Sequence, residues 1–321
     1  MDPSAYTGKI LVTGAGGFVG TALCHALARA GIAHVPALRR ASAPGQVAIG
    51  ELSGATDWNA ALAGCDTVIH LAARAHVMHD SAADPLASYR VVNVDATLAL
   101  ARQALRLGVR RFVYVSSVKV NGEATQGAPF TPFDTPAPQD AYGQTKHEAE
   151  TALRALCQDG AMALVIVRPP LVYGPGVRAN FRALMRLVAA GLPLPLASVE
   201  NRRSLVALAN LVDLLIVCAR HPRAGGHVFL VSDGDDMSTP ELIRRMAVAL
   251  GRRARLLPLP PALLRMAARL LGKAGAADRL LGSLQVDISH TRSVLGWHPP
   301  VDADSALREC ASFYLNHRED A

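Results

Sequence analysis

Short apolar runs alternate with longer stretches of helical periodicity through the first half of the chain. The runs are apolar on both faces of an extended backbone, which is typical of strands buried in a parallel sheet. The predicted strands are Lys9–Thr13, Ala33–Leu38, Thr67–His70, Phe112–Ser116 and Ala163–Arg168, and the predicted helices are Gly17–Ala30, Pro85–Leu107 and Tyr142–Gln158. This order predicts an α/β fold, a doubly wound parallel sheet built from βαβ units.

The composition and the hydrophobic pattern of the sequence change after Arg168. Proline and glycine cluster there, and the strand and helix patterns that follow are shorter. We expect a smaller lobe that lies over the carboxyl ends of the strands, the edge where open α/β sheets bind ligands. The predicted division is residues 1–171 for the sheet domain and residues 172–321 for a substrate-binding lobe, with some segments interleaved.

Composition narrows the classes of function. The net charge is +7, but the arginines are dispersed and aromatic residues make up only 5% of the chain, so nucleic-acid binding is not expected. A phosphate-bearing ligand accounts for the charge equally well. The longest apolar stretch, Leu205–Cys218, contains Asn210 and Asp213 and is too short for a bilayer, so no membrane insertion is expected. The first residues lack a signal-peptide pattern, which predicts a cytoplasmic protein.

The cysteines and histidines show no metal-binding pattern. The five cysteines are scattered without a CxxC pair, and no HExxH motif is present. His70, His76 and His79 lie near one another in the sequence but lack a cysteine or carboxylate at ligand spacing. We therefore expect no metal.

A glycine-rich segment follows the first predicted strand and opens the first helix. Gly14, Gly17 and Gly20 have the GxxGxxG spacing, with Phe18 and Val19 between the last two. Glycines allow a tight turn and close approach of a diphosphate, while the helix N-terminus supplies amide groups and a favourable dipole. The segment predicts that residues 1–171 bind a dinucleotide.

The end of the second strand bears on which dinucleotide is bound. Sites that prefer NAD usually place an acidic residue there for the ribose, whereas this chain has Arg39 and Arg40. Two guanidinium groups would suit a 2′-phosphate, so NADP(H) is slightly favoured over NAD, although both arginines could simply be solvated. The adenine could lie near two further segments, which are Glu51 with Leu52 and the run Leu71, Ala72 and Ala73.

Tyr142 and Lys146 are spaced by one helical turn at the start of a predicted helix. The i, i+4 spacing places the phenol and the ammonium on one face, where a positive charge favours the phenolate and so lowers the pKa of Tyr142. Ser117, at the end of the preceding strand, could share the same substrate oxygen. Together these residues predict acid–base chemistry at a hydroxyl or ketone.

In this order the motifs resemble the extended short-chain dehydrogenases, the NAD-dependent epimerase/dehydratase family, along nearly the whole chain. The matching segments are Gly14–Gly20, His70–Ala73, Asn93–Thr97, Ser116–Ser117, Tyr142 with Lys146, Arg168–Pro169 and Tyr173–Gly176. The resemblance implies a Rossmann-type sheet with a smaller C-terminal lobe that binds a UDP-sugar. Within the family, residues 118–123 and 202–206 are most similar to bacterial O-antigen enzymes, UDP-glucose 4-epimerase-like proteins or UDP-N-acetylquinovosamine dehydrogenases.

The resemblance also implies roles for individual residues. Ser117, Tyr142 and Lys146 are the catalytic set, with Tyr142 as acid and base and Lys146 on the nicotinamide ribose. Cofactor contacts are implied for Asn93, Ser116 and Pro169 as well. The substrate contacts it implies are Lys119, Asn180, Arg203 and, by a looser match, Arg279. Three of these four have a plainer alternative: a solvent-facing lysine for Lys119, a helix N-cap for Asn180 and a surface arginine for Arg203.

Comparison with the family's known reactions reduces the number of reactions that this chain is expected to catalyse. Its 4,6-dehydratases carry an Asp-Glu pair where this chain has Val118 and Lys119, and its 3,5-epimerase-reductases carry a cysteine in place of Val118. What remains is hydride transfer at C4. Two reactions fit: a 4-keto reductase for a UDP-6-deoxy-N-acetylhexosamine in surface-polysaccharide synthesis, which Arg39 and Arg40 favour, and a 4-epimerase that retains NAD.

Two further expectations come from relatives. Some proteins of this fold are NADP-binding regulators or assembly factors that have lost catalysis, but the intact Ser117, Tyr142 and Lys146 argue against that here. In many relatives the two long helices, Pro85–Leu107 and Tyr142–Gln158, form a dimer interface. The resemblance therefore implies a homodimer.

Overall fold

The protein is represented by a computed structural model that describes residues 8–75, 84–272 and 274–317, without the side chains of Ala274 and Ala276. Of the histidine group named above, His70 lies inside these ranges, and His76 and His79 lie outside them. Among the described residues, no cluster of three or more histidine, cysteine or acidic side chains is arranged to hold a metal ion.

Nine strands and twelve α-helices make up the described part of the chain. The strands are β1 (Lys9–Thr13), β2 (His34–Leu38), β3 (Val47–Ala48), β4 (Cys65–His70), β5 (Arg111–Val115), β6 (Ala163–Arg168), β7 (Leu171–Tyr173), β8 (Leu205–Ala207) and β9 (Val228–Leu230). The helices are α1 (Phe18–Arg29), α2 (Asn59–Leu62), α3 (Pro85–Arg90), α4 (Ala96–Arg106), α5 (Ala141–Leu156), α6 (Ala179–Ala189), α7 (Leu208–Arg220), α8 (Thr239–Ala249), α9 (Pro261–Leu270), α10 (Ala274–Leu281), α11 (Ser289–Leu295) and α12 (Ala303–Asn316).

Seven strands form one parallel sheet in the order β3-β2-β1-β4-β5-β6-β9. The strand order reverses between β1 and β4, which opens a crevice at their carboxyl ends. The predicted doubly wound sheet of Rossmann type is confirmed.

Both faces of the sheet are covered, which explains why its strands are apolar without alternation. In β1, Ile10 and Val12 point into a core shared with α1 and α7, while Leu11 points into a second core on the opposite face, shared with α4 and α5. One short strand thus supplies two cores, because successive side chains of a strand point to opposite faces.

The C-terminal part of the chain forms a second, smaller sheet and also contributes a strand and a helix to the main sheet domain. β7 and β8 form a separate two-stranded parallel sheet, whose side chains join α6, α8 and α12 in a third core. However, β9 completes the main sheet beside β6, and α7 packs against it. Residues 172–321 are therefore interleaved with the sheet domain rather than appended to it.

The predicted helix Pro85–Leu107 is not one regular helix. A π-helical turn at Val91–Asp95 separates α3 from α4. Such turns are rare and recur at functional sites, because the wider turn redirects side chains. Within the described ranges, no helix combines the length and the apolar character needed to cross a bilayer.

Candidate active site

The glycine turn after β1 is held so closely that side chains cannot fit. Gly14 has φ +65°, and a Cβ added there would lie 2.8 Å from the backbone nitrogen of Ala72. A Cβ on Gly20 would overlap the carbonyl oxygen of Gly14, so Gly20 is what allows α1 to pack against the turn. The backbone of this segment is thus exposed for the close approach of a ligand.

The N-terminus of α1 suits an anion. Its N-cap is Gly17, which has no side chain to cap the helix, and its first turn contains no acidic residue. The first amides of a helix need partners, and the helix dipole favours negative charge there. Gly14, Gly17 and Gly20 with the amides around Phe18 and Val19 therefore fit the diphosphate of a dinucleotide.

A buried series of hydrogen bonds links the glycine turn to β4 and α4. The Thr13 hydroxyl contacts Nδ1 of His70 at 2.7 Å, and Nε2 of His70 contacts the Thr97 hydroxyl at 2.9 Å. Since Thr97 donates to the carbonyl oxygen of Asn93, its oxygen accepts the proton of His70 Nε2. His70 Nδ1 then accepts from Thr13.

The same series of hydrogen bonds also fixes the loop beside the glycines. The Thr13 oxygen accepts from the backbone amides of Leu71 and Ala72, both at 3.2 Å. Burial, aided by the nearby charge of Lys146, lowers the pKa of His70 to about 3, so the ring is neutral. Thr13, His70 and Thr97 position the loop beside the glycines, a role that the sequence did not reveal because the three residues lie on two different strands and a helix.

At the end of β2, positive and negative groups lie together. Arg39 and Arg40 are exposed, and the Arg39 guanidinium lies 3.6 Å from the Glu51 carboxylate, which is also exposed. Leu52 is half-buried against the adjacent core. This edge offers guanidinium groups for a 2′-phosphate and a carboxylate for a ribose hydroxyl, so it is compatible with both NADP and NAD.

Asn93, in the π-turn, uses its amide to hold other parts of the site. Its Nδ2 donates to the carbonyl oxygen of Arg74 and to the Thr145 hydroxyl, and its Oδ1 accepts from the Arg74 amide. The side chain is buried. Asn93 thus joins the loop after β4 to α5, one residue from Lys146, and acts as a positioning residue.

Ser117 lies in the turn that follows β5. Its backbone is extended, and its Oγ accepts from the Lys119 amide at 3.2 Å, which caps the 3₁₀ turn Val118–Val120. The Val118 amide donates to the carbonyl oxygen of Pro169 at 3.0 Å, so the end of β6 holds the same turn. The neighbouring Ser116 Oγ is buried and has no hydrogen-bond partner within the described residues.

The start of α5 packs directly on this turn. Asp140 caps the helix by accepting from the Gly143 amide at 2.7 Å, and a second carboxylate oxygen accepts from Lys119 Nζ at 2.5 Å. A Cβ on Gly143 would lie 2.9 Å from the carbonyl oxygen of Lys119. The structure therefore places the segments that carry Ser117 and Tyr142 side by side at the carboxyl edge of the sheet.

Burial dominates the electrostatics of the predicted acid–base pair. It raises the pKa of Tyr142, assisted by the negative charge of Asp140, and it lowers the pKa of Lys146 to about 7. Lys146 Nζ donates to the carbonyl oxygen of Val115 at 2.8 Å and lies 5.8 Å from the centre of the Tyr142 ring. The pKa of Tyr142 therefore moves in the direction opposite to the expected one, because desolvation disfavours the phenolate.

Three of the four predicted substrate residues fall in one neighbourhood. Lys119 Nζ pairs with Glu123 at 2.8 Å, and the charge of Glu123 acts on Arg203. Arg203 Nη1 donates to the carbonyl oxygen of Arg279 at 2.7 Å. Burial lowers the pKa of Arg203, and the positive charge of Arg279 lowers it further.

The fourth, Asn180, is exposed in the first turn of α6. Its suggested alternative role as N-cap is wrong, because the helix begins at Ala179 and Arg178 is the N-cap. Lys119 is not the solvated lysine of the alternative either. Its ammonium joins Asp140 of the α5 cap to Glu123, an arrangement the sequence concealed because Asp140 lies 21 residues further along the chain.

Comparisons with known proteins agree with this geometry. The family model described as "NAD dependent epimerase/dehydratase family" matches residues 10–232. A Vibrio cholerae protein named UDP-glucose 4-epimerase is 47% identical, over 96% of this chain and 95% of its own. A Mycolicibacterium neoaurum 3-beta-hydroxysteroid dehydrogenase is 29% identical, over 98% and 94%.

A solved structure, MoeE5 in complex with UDP-glucuronic acid and NAD, superposes with a TM-score of 0.77. The two sequences are 25% identical, and the superposition covers 96% of this chain and 99% of the other. The likeness extends over both the main sheet and the C-terminal part. The MoeE5 structure contains NAD, and the names of these proteins differ in the molecule on which each acts.

Proposed function

Because the chain belongs to the NAD-dependent epimerase/dehydratase family, we propose that it acts at C4 of a UDP-sugar, and that it is a 4-epimerase that retains its NAD. The observation that supports the proposal is that the segments carrying Ser117, Tyr142 and Lys146 lie side by side at the carboxyl edge of the sheet. The 47% identity to a protein named UDP-glucose 4-epimerase supports epimerisation and the UDP-sugar class.

The protein side chains would handle the proton of the C4 hydroxyl. Tyr142 takes that proton as the alcohol becomes a ketone and returns it when the opposite face is reduced, while Ser117 donates a hydrogen bond to the same oxygen. Lys146 would hold the ribose hydroxyl of the bound cofactor. Bound NAD⁺ supplies the hydride acceptor and a positive charge, which favours the phenolate of Tyr142 against the effect of burial.

A second candidate is a 4-keto reductase for a UDP-6-deoxy-N-acetylhexosamine, in surface-polysaccharide synthesis. Arg39 and Arg40 favour it, since two exposed guanidinium groups suit NADPH, a cofactor that a reductase consumes at each turnover. Glu51 weakens this argument. Its carboxylate lies beside Arg39, where it would repel a 2′-phosphate.

The nucleotide that the protein carries separates the two candidates. The purified protein would be denatured and its released nucleotides identified, and the native protein assayed with UDP-glucose, UDP-N-acetylglucosamine and UDP-4-keto-6-deoxy-N-acetylglucosamine plus NADPH. Bound NAD and interconversion of 4-epimers support the epimerase. An empty site and oxidation of NADPH with the keto sugar support the reductase.

The control variant is Tyr142→Phe, which keeps the ring and removes the proton carrier. Loss of turnover with retained nucleotide binding agrees with either reaction. Oxidation of a 3β-hydroxysteroid without turnover of any UDP-sugar would overturn the proposed substrate class. Nucleotide binding with no turnover of any of these compounds would favour a regulatory protein.

A further inference from the structure

Helix α9 exposes its apolar face to solvent. None of its residues is buried, and only Pro261, Leu264 and Ala268 are partly covered, on the side that faces the C-terminal core. At 3.6 residues per turn, the opposite side carries Leu263, Met266 and Leu270. These three side chains, the α9 stripe, are 46%, 56% and 83% exposed.

Basic residues border the α9 stripe. Arg265 and Arg269 are exposed and, with Ala262, Met266 and Leu270, line an open groove of about 530 Å³. The surrounding sequence has the same character. Residues 252–277 contain six basic residues and no acidic one; the six are Arg252, Arg253, Arg255, Arg265, Arg269 and Lys273.

Neither the fold nor the proposed reaction accounts for this surface. The exposed apolar side chains extend beyond the helix to Leu257 and Leu271, whereas soluble monomers rarely leave such groups together unless something covers them. A second copy of the chain, meeting through the same surface, would bring two strongly basic segments together at the cost of charge repulsion. The occupant should be anionic and partly apolar.

We propose that the α9 stripe and its arginines bind the surface of an anionic phospholipid membrane, with the helix lying in the headgroup region. An amphipathic helix with apolar residues on one side and arginines at its border has the chemistry of an interfacial helix, since lipid takes up the apolar stripe and phosphates pair with the guanidinium groups. This attachment goes beyond the proposed reaction and does not depend on it.

The position of α9 links the membrane to the substrate lobe. Leu264 of α9 packs in the same core as Ala277 and Leu280 of α10, and the carbonyl oxygen of Arg279 on α10 accepts from Arg203. Attachment through α9 therefore holds the edge that carries Arg203 and Arg279 close to the membrane. A substrate or product at the lipid surface would reach this edge without leaving the interface.

Vesicle flotation of the full chain tests the proposal. Vesicles of phosphatidylcholine with phosphatidylglycerol are compared with phosphatidylcholine alone, at low and high salt. We expect flotation with the anionic vesicles only and its loss at high salt, because screening weakens lipid–arginine attraction. Arg265→Glu/Arg269→Glu should reduce the partition constant at least tenfold, given about fivefold for each basic residue near the surface.

Matched variants make the result specific to α9. Met266→Gln/Leu270→Gln should also reduce flotation, whereas Leu107→Gln/Phe133→Gln makes two similar changes at exposed apolar residues elsewhere. Arg29→Glu/Arg308→Glu repeats the charge reversal away from α9. Thermal unfolding of each variant shows that the fold is intact.

Several outcomes would overturn the proposal. They are equal binding to neutral and anionic vesicles, no binding to either, and equal loss in the control variants. A self-association that Met266→Gln/Leu270→Gln abolishes, without any lipid binding, would show that a second copy covers α9 instead.

Discussion

At the scale of single residues, the site owes its ionisation states to burial more than to charge pairing. Lys146 and His70 are both buried, and both are driven toward their neutral forms. Burial of an ammonium lowers stability, so the charged form of Lys146 is retained at a cost to the fold. Its hydrogen bond to the carbonyl oxygen of Val115 offsets part of this cost.

Replacement of Lys146 should therefore alter the pH dependence of stability. In the native state the pKa of Lys146 is about 7, below the ordinary 10.5, so unfolding takes up a proton between these values and stability rises with pH. Lys146→Met removes this contribution. The variant, without cofactor, should be more stable than the wild type near pH 7, and the difference should shrink by about 1.5 kcal/mol by pH 8.5. Urea unfolding of both proteins at both pH values measures this difference. A difference that stays the same at the two pH values would contradict the prediction.

Lys119 should act by positioning the catalytic groups rather than by contact with the sugar. Its ammonium joins Asp140, the cap of α5, to Glu123 while its own amide binds Ser117 Oγ. Lys119→Met should loosen Ser117 relative to Tyr142 and lower kcat about tenfold or more, with KM changed little. Asp140→Asn, which keeps a capping oxygen, should lower kcat in the same way. A rise in KM with kcat unchanged would instead indicate direct contact with the sugar.

At the scale of elements, the sequence predicted those whose pattern is local. The bounds of Ala163–Arg168 agree with β6, and Lys9–Thr13 agrees with β1, because buried parallel strands show as unbroken apolar runs. The break of Pro85–Leu107 at the π-turn could not be predicted. The apolar spacing of the sequence continues through Val91–Asp95, and the turn coincides with bonds from Asn93 to the loop after β4 and to α5, which no local pattern shows.

At the junction of β1 and α1, the space for an added Cβ differs between Gly20 and Gly16. A Cβ on Gly20 would overlap backbone atoms of Gly14 and Ala15, whereas a Cβ on Gly16 would meet only a flexible atom of Leu38, at 3.2 Å. Gly20→Ala should lower the free energy of unfolding by about 1–3 kcal/mol, as overpacking does. Gly16→Ala, the control, should cost less than about 1 kcal/mol. Thermal or urea unfolding compares them, and equal losses would contradict this account of the turn.

At the scale of the whole molecule, Asp233 joins the two sheets. It follows β9 of the main sheet and accepts from the amide of Ala207 in β8, from Asn210 in α7, and from the Tyr173 hydroxyl in β7. The role of Asp233 could not be predicted from the sequence, because its partners lie 23 to 60 positions away. A division at residue 171 separates Tyr173 and Asp233 from the main sheet, although their bonds hold both sheets together.

Asp233→Asn should therefore weaken the molecule as a unit. The amide nitrogen that replaces one carboxylate oxygen cannot accept from Ala207, Asn210 or Tyr173, so the free energy of unfolding should fall by about 1–3 kcal/mol. Asp235→Asn is the matched control. Asp235 pairs with Arg245 at the surface, and its loss should cost less than about 1 kcal/mol.

Calorimetry shows how the two sheets respond. A single transition shifted to lower temperature in Asp233→Asn indicates that the sheets unfold together, since the third core, α7 and β9 share the network around Asp233. Two separate transitions in the wild type would contradict this, because they would mean that the C-terminal part folds independently of the main sheet. In that case the crevice would lie between two independently stable units.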